Sequence, residues 1–197
     1  MKKVVLYGCG DLGLQTYYIL KHHPYEVVGF LDDNLEKEGS QFLGVPILGD
    51  AKMLAKLRQD FGVTCAIATI GDNKIRYEKN KLLKAAGFEI ITAIHPQALV
   101  DGAKYIGPGV IAEMGAAIHP DASVGDGTFL GGGATVAHGS RVGTASLLGG
   151  GVMFGGGVTV GDFTLIGVGC TIKPYVKIGN NVILGIGSLV TKDIPDN

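Results

Sequence analysis

From Ile94 onward an apolar residue returns every six positions: Ile94, Val100, Ile106, Ala112, Ile118, Val124, Leu130, Val136, Val142, Leu148, Phe154, Val160, Ile166, Ile172, Ile178, Leu184 and Val190. Fifteen of these seventeen are Ile, Leu or Val. Four places later in each unit stands a small or β-branched residue, as at Ala98, Val110, Thr128, Ser140, Cys170 and Val182, with Lys104 and Ile194 as departures. Glycine follows the aliphatic residue in ten units, among them Gly107, Gly125, Gly143, Gly161 and Gly179. A period of six belongs neither to an α-helix nor to an alternating strand. It fits a coil with three short flat sides, one hexapeptide on each, the aliphatic residue inward and the small residue near the corner. Glycine then takes backbone angles that a Cβ would forbid. Each coil uses about 18 residues and seventeen units give about five to six coils, stacked about 4.7 to 4.9 Å apart as parallel strands are. A flexible glycine-rich segment has no reason to hold such a phase. Residues 94–197 are therefore expected to be an all-β parallel β-helix.

The pattern changes before residue 94. Val4 to Tyr7 reads as a buried strand, followed by Gly8-Cys9-Gly10-Asp11-Leu12-Gly13 and a helical run from Leu14 to Lys21. This is G-x-G-x-x-G between strand and helix, the setting in which backbone N–H groups cradle phosphate. A second strand, Glu26 to Leu31, ends in Asp32 and Asp33, about 20 residues after the glycines, where a ribose-binding acid sits in such folds. Asp50 can cap a helix running to Phe61, and Val63 to Thr69 makes another buried strand. Gly71-Asp72-Asn73 opens a helix whose expected apolar face is Ile75, Leu82, Leu83 and Ala86, closed by Gly87. Phe88 to Ala93 is the last strand. Residues 1–93 thus predict one small α/β, Rossmann-like unit. Without a second mononucleotide half there is no place for a nicotinamide, so the loop is read as a diphosphate cradle for a nucleotide-linked substrate. Gly8, Gly10 and Gly13 are expected near the phosphates and Asp32 or Asp33 near the nucleoside.

Composition narrows the partners. The net charge is −1 and the isoelectric point is near 6.5, which leaves no basic excess for nucleic acid or an anionic membrane. No apolar run approaches the 18 or more residues of a membrane span. Cys9, Cys65 and Cys170 are too few and too scattered for a disulfide framework or a zinc site, so a cytoplasmic setting is expected. Glycine, 33 residues in all, concentrates after residue 100 while charge crowds the first ninety. Of five histidines, His95 and His119 each precede proline and are read as shaping the coil, and His22 and His23 lie at a helix end. A zinc anhydrase on such a coil needs three clustered histidines, and the gap from His119 to His138 is too long, so no metal is expected.

Gly8-Cys9-Gly10, Leu31-Asp32-Asp33, Ile70-Gly71-Asp72-Asn73, Ile94-His95-Pro96 and the unbroken hexapeptides together resemble the sialic acid O-acetyltransferase and UDP-bacillosamine N-acetyltransferase family over nearly the whole chain. Known hexapeptide-repeat proteins coil left-handed, and the resemblance carries that hand over. It implies a Rossmann-like domain holding a nucleotide sugar, with Gly71 and Asp72 among its contacts. It further implies a β-helix that forms a homotrimer and takes acetyl-CoA between subunits. The implied reaction is acetyl transfer to an amino group of a UDP- or GDP-linked sugar in bacterial glycan synthesis. Sugar O-acetylation and a nucleotide-sugar-binding scaffold without catalysis stand as alternatives.

By the same resemblance the catalytic base corresponds to His138 and the oxyanion donor to Gly156, and acetyl-CoA is expected along Gly156, Gly157, Gly167 and Ile186. The chemistry asks for such groups. An attacking amine must shed a proton, which an imidazole can accept, and the thioester oxygen gains charge that a backbone N–H can meet. His138 and Gly156 are one coil apart, so a carbonyl could sit between them. The sequence departs from the family at Gly139, where an acid usually follows the histidine, at Gly131 and Leu147, and at Leu12 in the glycine loop.

Overall fold

A computed structural model describes residues 1–197. The chain divides into two compact units, Met1–Ala93 and Ile94–Asn197. In the first, β1 (Lys2–Tyr7), α1 (Asp11–Leu20), β2 (Tyr25–Leu31), the β3–β4 hairpin (Gln41–Phe42, Val45–Pro46), α2 (Leu54–Gln59), β5 (Cys65–Ala68), α3 (Asn73–Ala85) and β6 (Glu89–Ile90) follow in order. The main sheet runs β2-β1-β5-β6, and its strands are parallel. Val4, Val5, Leu6 and Tyr7 of β1 and Cys65 to Ala68 of β5 are fully buried, as central parallel strands covered on both faces must be.

Several element boundaries differ from the sequence reading, each for a local reason. Helix α1 begins at Asp11 rather than Leu14, because Gly13 packs inside the first turn and a Cβ there would strike the Gly8 carbonyl. Asp50 caps a short 3-10 turn, accepting from Lys52 N at 2.8 Å, and α2 proper is only Leu54–Gln59. The last predicted strand shortens to Glu89–Ile90. The buried face of α3 is Arg76, Asn80 and Leu83, whereas Ile75 (48%) and Leu82 (39%) are exposed. Polar needs at the strand-to-helix turn decide this. Asn80 Oδ1 accepts from Ala68 N at 2.9 Å, and Arg76 bonds the carbonyls that enter the helix.

The second unit is a left-handed parallel β-helix of two-residue strands in stacked parallel sheets. Register is in steps of 18: Ala117 lies opposite Thr135, and Thr135 opposite Met153. The six-residue set forms the interior, Ile118, Val124, Leu130, Val136, Leu148 and Ile166 being nearly inaccessible. Corner hydroxyls satisfy backbone that apolar corners would leave unmet. Thr164 Oγ1 donates to Gly179 O at 2.7 Å and accepts from Val182 N at 3.2 Å, and Ser146 repeats the pattern one coil earlier. His95, read as shaping its turn, accepts from Gln97 N through Nδ1.

Candidate active site

The first unit carries a cavity of about 410 Å³ at the C-terminal ends of β1, β2 and β5, lined by Gly8, Gly10, Asp32, Asp33, Gly71 and their neighbours. Only glycine serves at position 8: φ is +116° and a Cβ would sit 2.7 Å from Thr69 O. Gly10 begins α1 without any side-chain cap, so the first N–H groups of that helix remain available to an anion. Gly13 and Asp72 do not line the cavity. Gly13 lets α1 close on the Gly8 carbonyl, and Asp72 caps α3, accepting from Ile75 N at 2.9 Å.

Two separate braces hold the paired acids. Asp32 accepts from Cys9 Sγ (2.8 Å), Cys9 N (3.2 Å), Lys37 Nζ (3.1 Å) and Asn34 N (3.0 Å). Burial pushes its carboxyl up, but the Cys9 thiol, the Asn34 N–H and Lys37 outweigh that and bring it to about 2. Burial and the neighbouring carboxylate push the Cys9 thiol up in turn, which keeps it a donor rather than a nucleophile. Asp33 takes the Tyr7 hydroxyl and pairs with Lys79 at 2.7 Å. Burial, then the bond to Asp33, drives Tyr7 up to about 12. Cys9, Tyr7, Lys37 and Lys79 carry no site role in the sequence reading. Tyr7 and Cys9 flank Gly8 and were open to inspection, whereas the two lysines arrive from elements whose approach only packing decides.

On the β-helix, His138 and Gly156 occupy the same corner on successive coils, in the turns that follow Thr135–Val136 and Met153–Phe154. The imidazole lies directly against the Gly156 Cα: a Cβ on Gly156 would overlap His138 Nε2 and Cε1. The backbone locks the stack, Gly157 N donating to His138 O at 3.0 Å and Tyr175 N to Gly156 O at 3.0 Å. The His138 side chain is exposed and makes no hydrogen bond within its own chain. Gly139, with φ of +66°, offers it no carboxylate. Gly157 joins this corner, its Cα against the Tyr175 ring. Gly167 and Ile186 do not. They stack in the preceding corner, after Leu165–Ile166 and Ile183–Leu184, where a Cβ on Gly167 would meet Ile186 N at 2.8 Å. The glycine triplets 131–133 and 149–151 lie in that same column, where a Cβ on Gly149 would meet Val168 N at 2.6 Å.

A glycine-loop cavity on a Rossmann-like unit, followed by a hexapeptide coil bearing a histidine stacked on a glycine, defines a class of two-domain hexapeptide-repeat transferase. Residues 3–94 match the PglD N-terminal domain family. A histidine-to-asparagine mutant of perosamine N-acetyltransferase from Caulobacter crescentus, solved with CoA and GDP-perosamine, is 33% identical. The similarity covers 100% of this chain and 92% of that one, with a TM-score of 0.94. The acetyltransferase domain of PglB from Neisseria gonorrhoeae is 26% identical over 100% of this chain and 94% of its own, with a TM-score of 0.91. No curated protein sequence matches. The chain belongs to the hexapeptide-repeat sugar acetyltransferases.

Proposed function

We propose that this chain transfers acetyl from acetyl-CoA to an amino group of a nucleotide-linked sugar, the first unit holding the nucleotide and the β-helix corner at His138 performing the transfer. The observation that carries the reading is the imidazole of His138 resting on Gly156 one coil away. A similar chain, 33% identical, is a perosamine N-acetyltransferase solved with CoA and GDP-perosamine, which favours an amine over a hydroxyl as acceptor.

The amine attacks the thioester carbonyl, and His138 accepts the proton that the nitrogen sheds. The Gly156 N–H, which donates to no group in the chain, meets the developing oxyanion. As the C–S bond breaks, the imidazolium returns its proton to the departing thiolate. The products are the acetamido sugar and CoA with a free thiol.

Acetyl-CoA contacts at Gly156 and Gly157 on one corner and at Gly167 and Ile186 on the preceding one suit a ligand lying between two copies, each offering a different corner. With the family resemblance, this favours a homotrimer with sites between subunits. A neighbour would also supply the partner that His138 lacks in its own chain. Three unpaired cysteines support a cytoplasmic setting, and no helix is long and apolar enough to cross a membrane.

The test is thiol release from acetyl-CoA with a panel of GDP- and UDP-linked amino sugars, alongside light scattering. Turnover on at least one acceptor and a trimer mass are expected. Nucleotide binding without turnover on any acceptor would favour a catalytically silent scaffold instead, the reading that Gly139 and the unbonded His138 support.

A further inference from the structure

Arg76 is the only charged side chain among the buried residues, with 0% exposure. Burial lowers its guanidinium to about 10, so it remains cationic at neutral pH. From the first turn of α3 it reaches back to the segment that enters its own helix. Nη1 donates to Ile70 O at 2.9 Å and to Gly71 O at 3.2 Å, and Nη2 donates to Asn73 Oδ1 at 2.7 Å. Ile70 and Gly71 both line the cavity of the first unit.

The bonding has a consequence for direction. The peptide units here are trans, and in a trans unit the N–H points opposite to its C=O. With the Ile70 and Gly71 carbonyls drawn to Arg76, the N–H groups of Gly71 and Asp72 point away from it. Neither donates to any acceptor in the chain. An apolar side chain of similar length would fill the space without the desolvation cost of a buried charge, so the guanidinium is kept for what it holds. We propose that Arg76 is a positioning residue of the nucleotide cavity, presetting the N–H of Gly71, which lines that cavity, to receive an oxygen of a nucleoside diphosphate. The proposal rests on the nucleotide-sugar reading of this cavity.

The experiment uses the full-length chain. Calorimetric titration of GDP and UDP is compared for wild type, Arg76→Lys and Arg76→Met, with steady-state kinetics on the best acceptor and thermal unfolding as a check of folding. Arg76→Met should raise the nucleotide Kd and the KM for the sugar nucleotide about 10- to 100-fold, while kcat at saturating acceptor and the KM for acetyl-CoA stay within about twofold. Arg76→Lys, which keeps charge but loses the fork, should fall between. A folded variant that binds nucleotide as tightly as wild type overturns the proposal. So does a parallel loss in kcat and in both KM values, the mark of general structural damage. Should Arg76→Met not fold, hydrogen exchange on wild type decides: the Gly71 amide should slow on saturation with the nucleotide that binds, and unchanged exchange there overturns the proposal. If wild type binds neither GDP nor UDP, the nucleotide-sugar reading itself fails and takes this inference with it.

Discussion

The two units differ in where they keep their charge. All five ion pairs lie within Met1–Ala93, and there Asp32 and Asp33 are held by Lys37 and Lys79, while Arg76 bonds the segment that enters its own helix. In Ile94–Asn197 the buried polar side chains are the hydroxyls of Thr128, Ser140, Ser146 and Thr164, which serve their own backbone. A cavity assembled from unlike loops needs charges held at fixed angles. A repeating coil needs only that each corner close on the next. In the proposed function the binding half is therefore complete within one chain, while the reacting histidine stands exposed and unbraced by its own coil.

The largest effect is expected at that exposed residue. His138→Ala should lower kcat by about 10² to 10⁴ with little change in acetyl-CoA affinity, the range for losing a general base. An outward side chain adds little to the core, so stability should move by less than about 1 kcal/mol. Retention of wild-type turnover at saturating acceptor would remove His138 from the mechanism and erase the contrast between a braced and an unbraced half. Gly156→Ala probes the same corner from below. Its Cβ cannot coexist with the imidazole as placed, so the ring must swing away, and kcat should drop about 10- to 100-fold with the nucleotide Kd unchanged. Equal losses in both would mean that the corner and the cavity are not separable.

Stability of the coil offers the next test. Thr164→Val keeps the shape found at Val158 and Val176 but deletes the donor to Gly179 O and the acceptor for Val182 N. Stranding buried backbone groups costs about 1 to 3 kcal/mol. Urea unfolding should therefore show a loss in that range, with no change in nucleotide affinity. A neutral outcome would show that the corner hydroxyls are interchangeable with valine, and that the polar groups of the second unit add nothing to it.

What could be read from sequence follows the same division. The coil was legible because its geometry writes itself into every sixth residue, so that Val136, Leu148 and Ile166 declare an interior without any knowledge of distant partners. The strand and the glycine loop around Gly8 to Gly13 were legible for a similar reason, since local backbone demands fix the residue types, though the helix begins inside that loop at Asp11 and not after it. The buried face of α3 was not. Ile75 and Leu82 suggest an apolar stripe, yet Arg76 and Asn80 turn inward because carbonyls and an N–H at the end of β5 need them. Nor does spacing reveal that Lys37 and Lys79 reach Asp32 and Asp33, although the 18-residue coil does place Gly167 and Ile186, which follow Ile166 and Leu184, on a different corner from His138, which follows Val136.

The smallest expected effect asks whether the charged bracing of the first unit also stabilises it. Asp32 is held at about 2, below the ordinary carboxylate value near 3.9, so the folded state favours the ionised form. Its contribution is present in full above the unfolded value and drains away as pH falls toward 2. A shift of nearly two units corresponds to roughly 2.5 kcal/mol, but the Lys37 partner is 41% exposed, and solvent screening reduces the figure to about 1 kcal/mol. Asp32→Asn keeps the size and can still accept from the Cys9 and Asn34 N–H groups, while losing the charge that answers Lys37. Urea unfolding of both proteins from pH 7 to pH 3 should find the variant less stable by about 1 kcal/mol at pH 7, with roughly half of that gap gone by pH 3. If the gap is the same at every pH, the Asp32 charge does not stabilise the fold, and its four hydrogen bonds serve only to aim the carboxylate into the cavity.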